Sequence, residues 1–205
     1  GDIMYKDLNG DGKIDNGGNK YDDMGDMKKI GNNTPRYLFG LDLNADYKGF
    51  DFRAFFQGVM KRDYWQGSAY FWGATSLWHS TGFVEHADYF RAEASNDLPA
   101  NLNAYYPRPV FDSSKNRQKQ TAYLQSAAYI RLKNVQLGYT LPANLTHKFY
   151  VSKLRVFVSG ENLWTGTSLA NMFDPETIGG GDDTDKNGNA YPLSKTISFG
   201  ISVTL

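Results

Sequence analysis

The sequence predicts an all-β fold: an antiparallel sheet of about five strands, one wall of a larger transmembrane β-barrel with long loops on one side. Three observations predict it. Aromatic residues make up 15 % of the 205 positions, with 14 Tyr, 13 Phe and 4 Trp, and glycine numbers 21. Aromatics favour strands and glycine favours turns. Apolar residues recur at every second position in runs of about the ten residues that a tilted strand needs to cross a bilayer. Short and long connections alternate along the chain, as they do in an up-and-down barrel.

The first element is a hairpin over residues 37–60. Tyr37, Phe39, Leu41, Leu43, Ala45 and Tyr47 alternate with Leu38, Gly40, Asp42, Asn44 and Asp46. Lys48-Gly49 turns the chain. Phe50, Phe52, Ala54, Phe56, Gly58 and Met60 then alternate with Asp51, Arg53, Phe55, Gln57 and Val59. A side-chain period of two with one apolar and one mostly small or polar face marks a strand with one wet face. Residues 61–126 read as a long loop, whose stretch 68–93 has room for a short helix, for example around Phe83–Ala94.

Two strands follow over 127–165. Ile130 and Leu132 share one parity, and Val135, Leu137, Tyr139 and Leu141 the other. The switch at Lys133-Asn134 predicts a bulge, because one extra residue inverts the alternation. Pro142 ends that strand. After a link near 142–152, Leu154, Val156 and Val158 alternate with Arg155, Phe157 and Ser159. Residues 166–192 form a second long loop. In the final strand, 193–205, Ile197, Phe199, Ile201, Val203 and Leu205 face one way and Thr196, Ser198, Gly200, Ser202 and Thr204 the other.

Five strands do not close a membrane barrel, since bacterial ones start at about eight. The expectation is therefore the C-terminal part of a larger barrel. Its short turns lie in the periplasm, and residues 1–36 and both long loops lie outside the cell.

Composition excludes several functions. Lys plus Arg and Asp plus Glu both number 22, so there is no basic excess for a nucleic acid. The absence of cysteine removes disulfides, thiolate zinc sites and thiol nucleophiles. No nucleophile elbow or phosphate-binding glycine loop occurs. His79, His86 and His147 lack metal-ligand spacing. The expectation is a protein that is not an enzyme.

Two groups of residues are candidates for binding. Asp7-Leu8-Asn9-Gly10-Asp11-Gly12-Lys13-Ile14-Asp15 fits the first nine positions of a calcium loop. Side-chain oxygens fall at positions 1, 3 and 5, glycine at 6 and a backbone carbonyl at 7, the hard-oxygen set that Ca2+ takes. The expected ligands are Asp7, Asn9, Asp11, the Lys13 carbonyl and Asp15, holding a structural Ca2+. Position 12, ordinarily a bidentate Glu, is Gly18, so Asp22, Asp23 or Asp26 would supply the missing oxygens. An acidic surface turn is the alternative. Asp183-Thr-Asp185-Lys-Asn187-Gly188 copies only half of the pattern and reads as a solvated loop. Trp65, Trp72, Trp78, Tyr105 and Tyr106, with Tyr70 and Phe71, crowd the first long loop. Such rings stack on sugars or partner proteins, or pack on one another.

Several stretches together carry a family resemblance. They are Ile30–Tyr37; "YKGFDFRAFFQGVMKRDYW" from Tyr47; "NAYYPRP" from Asn103; and "YLQSAAYIRLKNVQLGYTLP" from Tyr123. "LRVFVSGENLWT" from Leu154, "FDPE" from Phe173, "YPLSKTISFG" from Tyr191 and the opening "DLNGDGKID" complete the set. In this order they resemble the SusC/RagA family of TonB-dependent outer-membrane transporters. The resemblance implies a 22-stranded barrel in the bacterial outer membrane that imports glycan or peptide nutrients. It implies a SusD-like surface lipoprotein as partner, and the TonB complex acting through an upstream plug. A soluble calcium-stabilised β-sandwich binding carbohydrate or protein is the alternative reading.

Overall fold

The computed structural model describes residues 1–73, 75–76, 81–95, 97–179 and 190–205. Strands β1 (Arg36–Tyr47) and β2 (Phe50–Lys61) are joined by a two-residue turn. Its central residues both have positive φ, Lys48 at 47° and Gly49 at 86°. That pair of torsions matches the twist of the flanking strands, and glycine adopts it without penalty. Strands β3 (Asp63–Trp65) and β4 (Leu124–Ser126) form a small ladder of their own. Then come β5 (Tyr129–Thr140), β6 (Lys153–Thr167) and β7 (Thr196–Thr204). The main sheet has the order β1-β2-β5-β6-β7, antiparallel at every step. It is the all-β antiparallel wall that the alternation predicts. The sandwich alternative needs a second sheet over the apolar face, and among the described residues the only other sheet is the β3–β4 ladder.

Directly opposed residues share a face, so the register assigns both faces. Tyr47, Phe50, Tyr139, Val156 and Ile201 form one row across all five strands. Ala45, Phe52, Leu137, Val158 and Phe199 form the next. Asp42, Arg53, Gln136, Ser159 and Ser198 lie on the opposite face.

The predicted bulge is present. Phe55 and Phe56 of β2 oppose Asn134 and Leu132, which leaves Lys133 out of the ladder. The extra residue returns Ile130 and Leu132 to the side of Val135, Leu137 and Tyr139. The β5–β6 register also shifts there, with Asn162 at φ 52°.

Short connections leave one end of the sheet: the 48–49 turn and 141–152, which holds α2 (Ala143–Thr146) and a 3₁₀ turn, His147–Phe149. The long connections 62–128 and 168–195 leave the other.

The described residues fall into two compact units. One contains Asn33–Tyr64, 125–179 and 190–205, and so the main sheet. The other contains Gly1–Asn32 and Trp65–Leu124. Here a short helix does lie within 68–93, but not at Phe83–Ala94. The structure has α1 at Ala69–Trp72 and only a 3₁₀ turn at Val84–Ala87. Backbone pairing with 101–106 wins downstream: Phe90 N–H donates to Tyr106 O at 3.0 Å, and Arg91 and Asn101 exchange both bonds. No helix among the described residues is long and apolar enough to cross a membrane.

Candidate functional site

The polar face of the sheet carries charge in cross-strand pairs. Arg53 donates from Nε and Nη2 to the Asp42 carboxylate, 3.1 and 2.6 Å away. Arg155 of β6 reaches over β5 to clasp Asp51 of β2 with both nitrogens. Gly138 lies beneath that pair, and a Cβ there would collide with both partners. The same guanidinium lies 4.8 Å from the Phe157 ring. Charged pairs held this way keep the face wettable while fixing the strands laterally.

At the long-loop end a tighter cluster forms. Arg131 donates from Nη2 to Asp174 Oδ1 at 2.7 Å and from Nε to Thr165 Oγ1 at 2.8 Å. Lys133 donates to Glu176 Oε2 at 2.9 Å. The Arg131 and Asp174 side chains are 4 % and 7 % exposed. Asp174 also accepts the backbone N–H groups of Glu176 and Leu193 at 2.9 and 3.1 Å. Burial alone would raise its pKa, but the Arg131 hydrogen bond and the two backbone donors outweigh it and hold the carboxyl below 3.8. The base of the second long loop is therefore pinned to β5 by a charge pair that water does not reach. Arg62 pins the first: it donates to Asn33 O at 3.0 Å and Gly179 O at 2.9 Å. Burial lowers its pKa.

The loop aromatics form a small core. Phe71 is 0 % exposed, Tyr123 5 %, Tyr106 7 % and Trp65 8 %. Trp65 lies 5.7 Å from Trp72, Phe71 5.4 Å from Tyr106 and Tyr105 4.9 Å from Tyr106, centroid to centroid. Edge-to-face geometry predominates, as ring quadrupoles favour. Burial pushes the Tyr123 hydroxyl up to about 12. Tyr105, 47 % exposed, keeps an accessible surface, and so does Tyr70 at 42 %. Trp78 lies outside the described residues, as do His79 and the 183–188 stretch. His86 is structural: its Nδ1 accepts Phe83 N–H at 2.9 Å, so the Nε2 proton faces Phe71 O at 3.0 Å.

The acidic loop curls through its own side chains. Asp7 Oδ2 accepts Gly12 N–H at 2.9 Å, Asn9 Oδ1 accepts Asp11 N–H at 3.0 Å and Asp11 Oδ1 accepts Lys13 N–H at 2.8 Å. Asp15 Oδ1 accepts Gly17 N–H at 2.8 Å. Asp26 folds back on Leu8 and Asp15 N–H at 2.6 and 3.0 Å, and these donors lower its pKa. Among the described residues no three or more His, Cys, Asp or Glu side chains converge as a metal site. Nearby, Asp2 is held at about 2 by hydrogen bonds from Lys115 and Asn116.

Sequence reasoning named the loops but missed the residues that fix them: Arg131, Lys133, Asp174 and Glu176 below the second, Asp51 and Arg155 across the sheet. The available signals were charges at polar-face parity and the acids of the Phe173–Glu176 motif.

No protein-family model matches the sequence. TonB-dependent receptor P3 of Formosa agariphila is 28 % identical over 210 residues, covering 99 % of this chain and 19 % of the relative. TonB-dependent receptor P26 of the same organism is 28 % identical over 217 residues, covering 100 % and 20 %. The chain thus spans about a fifth of the length of the curated relatives it matches. Among solved structures, the RagAB peptide transporter superposes with a TM-score of 0.61 at 26 % identity, over 86 % of this chain and 18 % of that one. The RagAB peptide importer in its open-open state gives 0.59 over 84 % and 17 %. A sheet apolar along one face, mostly polar along the other and with its long loops at one end is how such a barrel wall must be built, and the chain is similar to a stretch of the outer-membrane β-barrel of TonB-dependent receptors.

Proposed function

We propose that the chain belongs to a SusC/RagA-type importer and forms the C-terminal part of its barrel. The whole protein takes up a glycan or peptide nutrient across the outer membrane. Its short turns face the periplasm, its long loops the medium. The observation that supports this best is the pinned base of both long loops, Arg62 on Asn33 and Gly179 and Arg131 on Asp174. A loop fixed at its root presents a defined surface to a substrate or a lipoprotein lid at low entropic cost. Half-open Tyr105 and Tyr70 are the loop aromatics suited to such contact, while Trp65 and Tyr106 support them from within. The work is transport: a SusD-like lipoprotein covers the loops, and TonB acts through a plug elsewhere in the protein. In the same proposal, the oxygen donors of Asp7, Asn9, Asp11, Asp15 and the Lys13 carbonyl hold a structural Ca2+, with Asp26 closing the loop.

The test is growth of a deletion strain on single glycans or peptide mixtures, with the full-length receptor restored. Uptake should require TonB, and a surface lipoprotein should co-purify. Undiminished growth on every nutrient, with no co-purifying lipoprotein, would remove the importer reading.

A further inference from the structure

Both ring nitrogens of His86 are engaged. Phe83 N–H, 2.9 Å away, can only donate, so Nδ1 carries a lone pair and the ring proton sits on Nε2, 3.0 Å from Phe71 O. The contact therefore requires a neutral imidazole. The ring is also boxed in. It lies 5.6 Å from the Phe83 ring and 5.3 Å from that of Tyr106, centroid to centroid. Gly73 packs against it at φ 74°, and a Cβ there would come within 2.9 Å of Nδ1. His86 thus ties the 3₁₀ turn Val84–Ala87 to the end of α1. The titratable groups packed around it, among the described residues, are Tyr70 on α1, Glu85 and Asp88 on its own turn, Tyr105 and Tyr106 on the facing segment and Tyr123 beyond Phe71. Asp88 is committed to Asn101 Nδ2 and Tyr105 N–H, and no carboxylate among the described residues forms an ion pair with the imidazole. Burial pushes the Tyr106 hydroxyl up, away from neutrality. Histidine is the side chain whose charge ordinarily changes between pH 5 and 8, whereas carboxylates titrate below that interval.

We propose that the His86–Phe83 contact is an acid-released latch in the first long loop. A proton taken from solvent at Nδ1 turns the acceptor into a second donor that faces Phe83 N–H, while the Nε2 bond to Phe71 O survives. Phe83 then leaves, and its ring gives up the stack on Tyr70, which it now holds at 5.9 Å and 24° between planes. Tyr70 and Phe83 are 42 % and 43 % exposed, so the surface lost is one that faces outward. The sign follows from the two states. The closed turn accepts only the neutral imidazole and the open turn accepts both forms, so falling pH favours the open turn. The latch stands on the geometry of the loop unit alone. Its bearing on contact with a substrate or lid, through Tyr70, rests on the importer reading above.

The experiment is amide-resolved hydrogen exchange of the full-length receptor at pH 7.5 and pH 5.5, corrected for the intrinsic pH dependence of exchange. The expected result is a fall of about ten-fold in the protection of the Phe83 and His86 amides on acidification, the scale one proton per opening gives. The Arg91 and Asn101 amides, which pair with each other's carbonyls, should keep their protection and serve as the internal control. His86→Phe, which keeps a ring but offers no acceptor, should show the acid-released exchange at both pH values. His86→Gln should be insensitive to pH whatever its level of protection. Equal protection of Phe83 at the two pH values in the wild type, the same acid loss in His86→Gln, or an equal loss at Arg91 and Asn101 would overturn the proposal. None of these readings depends on uptake, so failure of the importer reading would show separately, in growth.

Discussion

The sheet and the loop unit have similar aromatic endowments and use them in opposite ways. In the sheet, Phe199 is 84 % and Ile201 70 % exposed, while in the loop unit Phe71 is 0 % exposed. The difference is the solvent each region was built for. A lipid-facing residue loses nothing by staying on the outside, because acyl chains are as apolar as the side chain. A loop in water must gather its rings inward to offset the entropy of ordering about 60 irregular residues. Hydrophobicity therefore predicts burial only once the solvent on each side is known.

The sharpest break in that comparison comes from truncating one ring on each side. Phe71→Ala should cost the loop unit about 3–5 kcal/mol, as for other buried phenylalanines. Limited proteolysis of the full-length receptor should then cut within 65–124 while the barrel stays heat-resistant. Phe199→Ala should leave proteolysis of the loops unchanged.

The next effect reverses the roles. Ile201→Arg should cost about 2–4 kcal/mol at mid-bilayer, and its polar-face neighbour Ser202→Arg far less. Leu43→Arg and Asn44→Arg should behave as the same contrasting pair. An assembly assay that ranks both faces equally would break the two-solvent account.

A smaller effect is expected from acid. Asp174 has a folded pKa below the ordinary 3.8, so its contribution is fully present above that value and is lost only as the pH falls through the lower, folded one. Hydrogen exchange in 168–179 and 190–195 should stay slow at pH 4.5 and quicken below pH 3.8. Asp174→Asn should remove that acid-dependent step.

The smallest effect concerns the acidic loop. Chelator should speed proteolysis near Lys13 at millimolar calcium, without altering the heat resistance of the barrel, since an external site needs only about 10⁻⁴–10⁻³ M affinity. Proteolysis unchanged by chelator would leave the loop to its own hydrogen bonds, such as Gly12 N–H on Asp7.

The sheet was legible in the sequence because its information is local. Period-two alternation gave all five strands, and the parity switch between Leu132 and Val135 gave the bulge before any partner strand was known. The loop bases were not legible. Arg131 and Asp174 lie 43 residues apart, and the Phe173–Glu176 motif marks that acid without naming its partner. The rings of the first loop were legible as a cluster only. Whether a ring stacks on a neighbour or faces outward depends on packing, which put Tyr106 inside and Tyr105 half outside. The helix of this stretch sits at Ala69–Trp72 rather than at 83–94 for the same reason, since Phe90 and Arg91 pair with residues 101–106.

The bulge also gives β5 something like a reading frame. A strand is read in twos, inside and outside, and removing one residue ordinarily turns everything on one side of the cut over. Lys133 is the spare character. With it deleted, Leu132 and Asn134 would become neighbours, as Phe56 and Phe55 already are across the ladder, and every other residue would keep its side. A deletion at Val135 or Ile130 has no such slack and would carry a charged or polar residue into lipid. Length changes along this strand thus have one tolerated address, and its cost is the Lys133–Glu176 pair together with the residue that stands opposite Asn162 and Leu163 of β6.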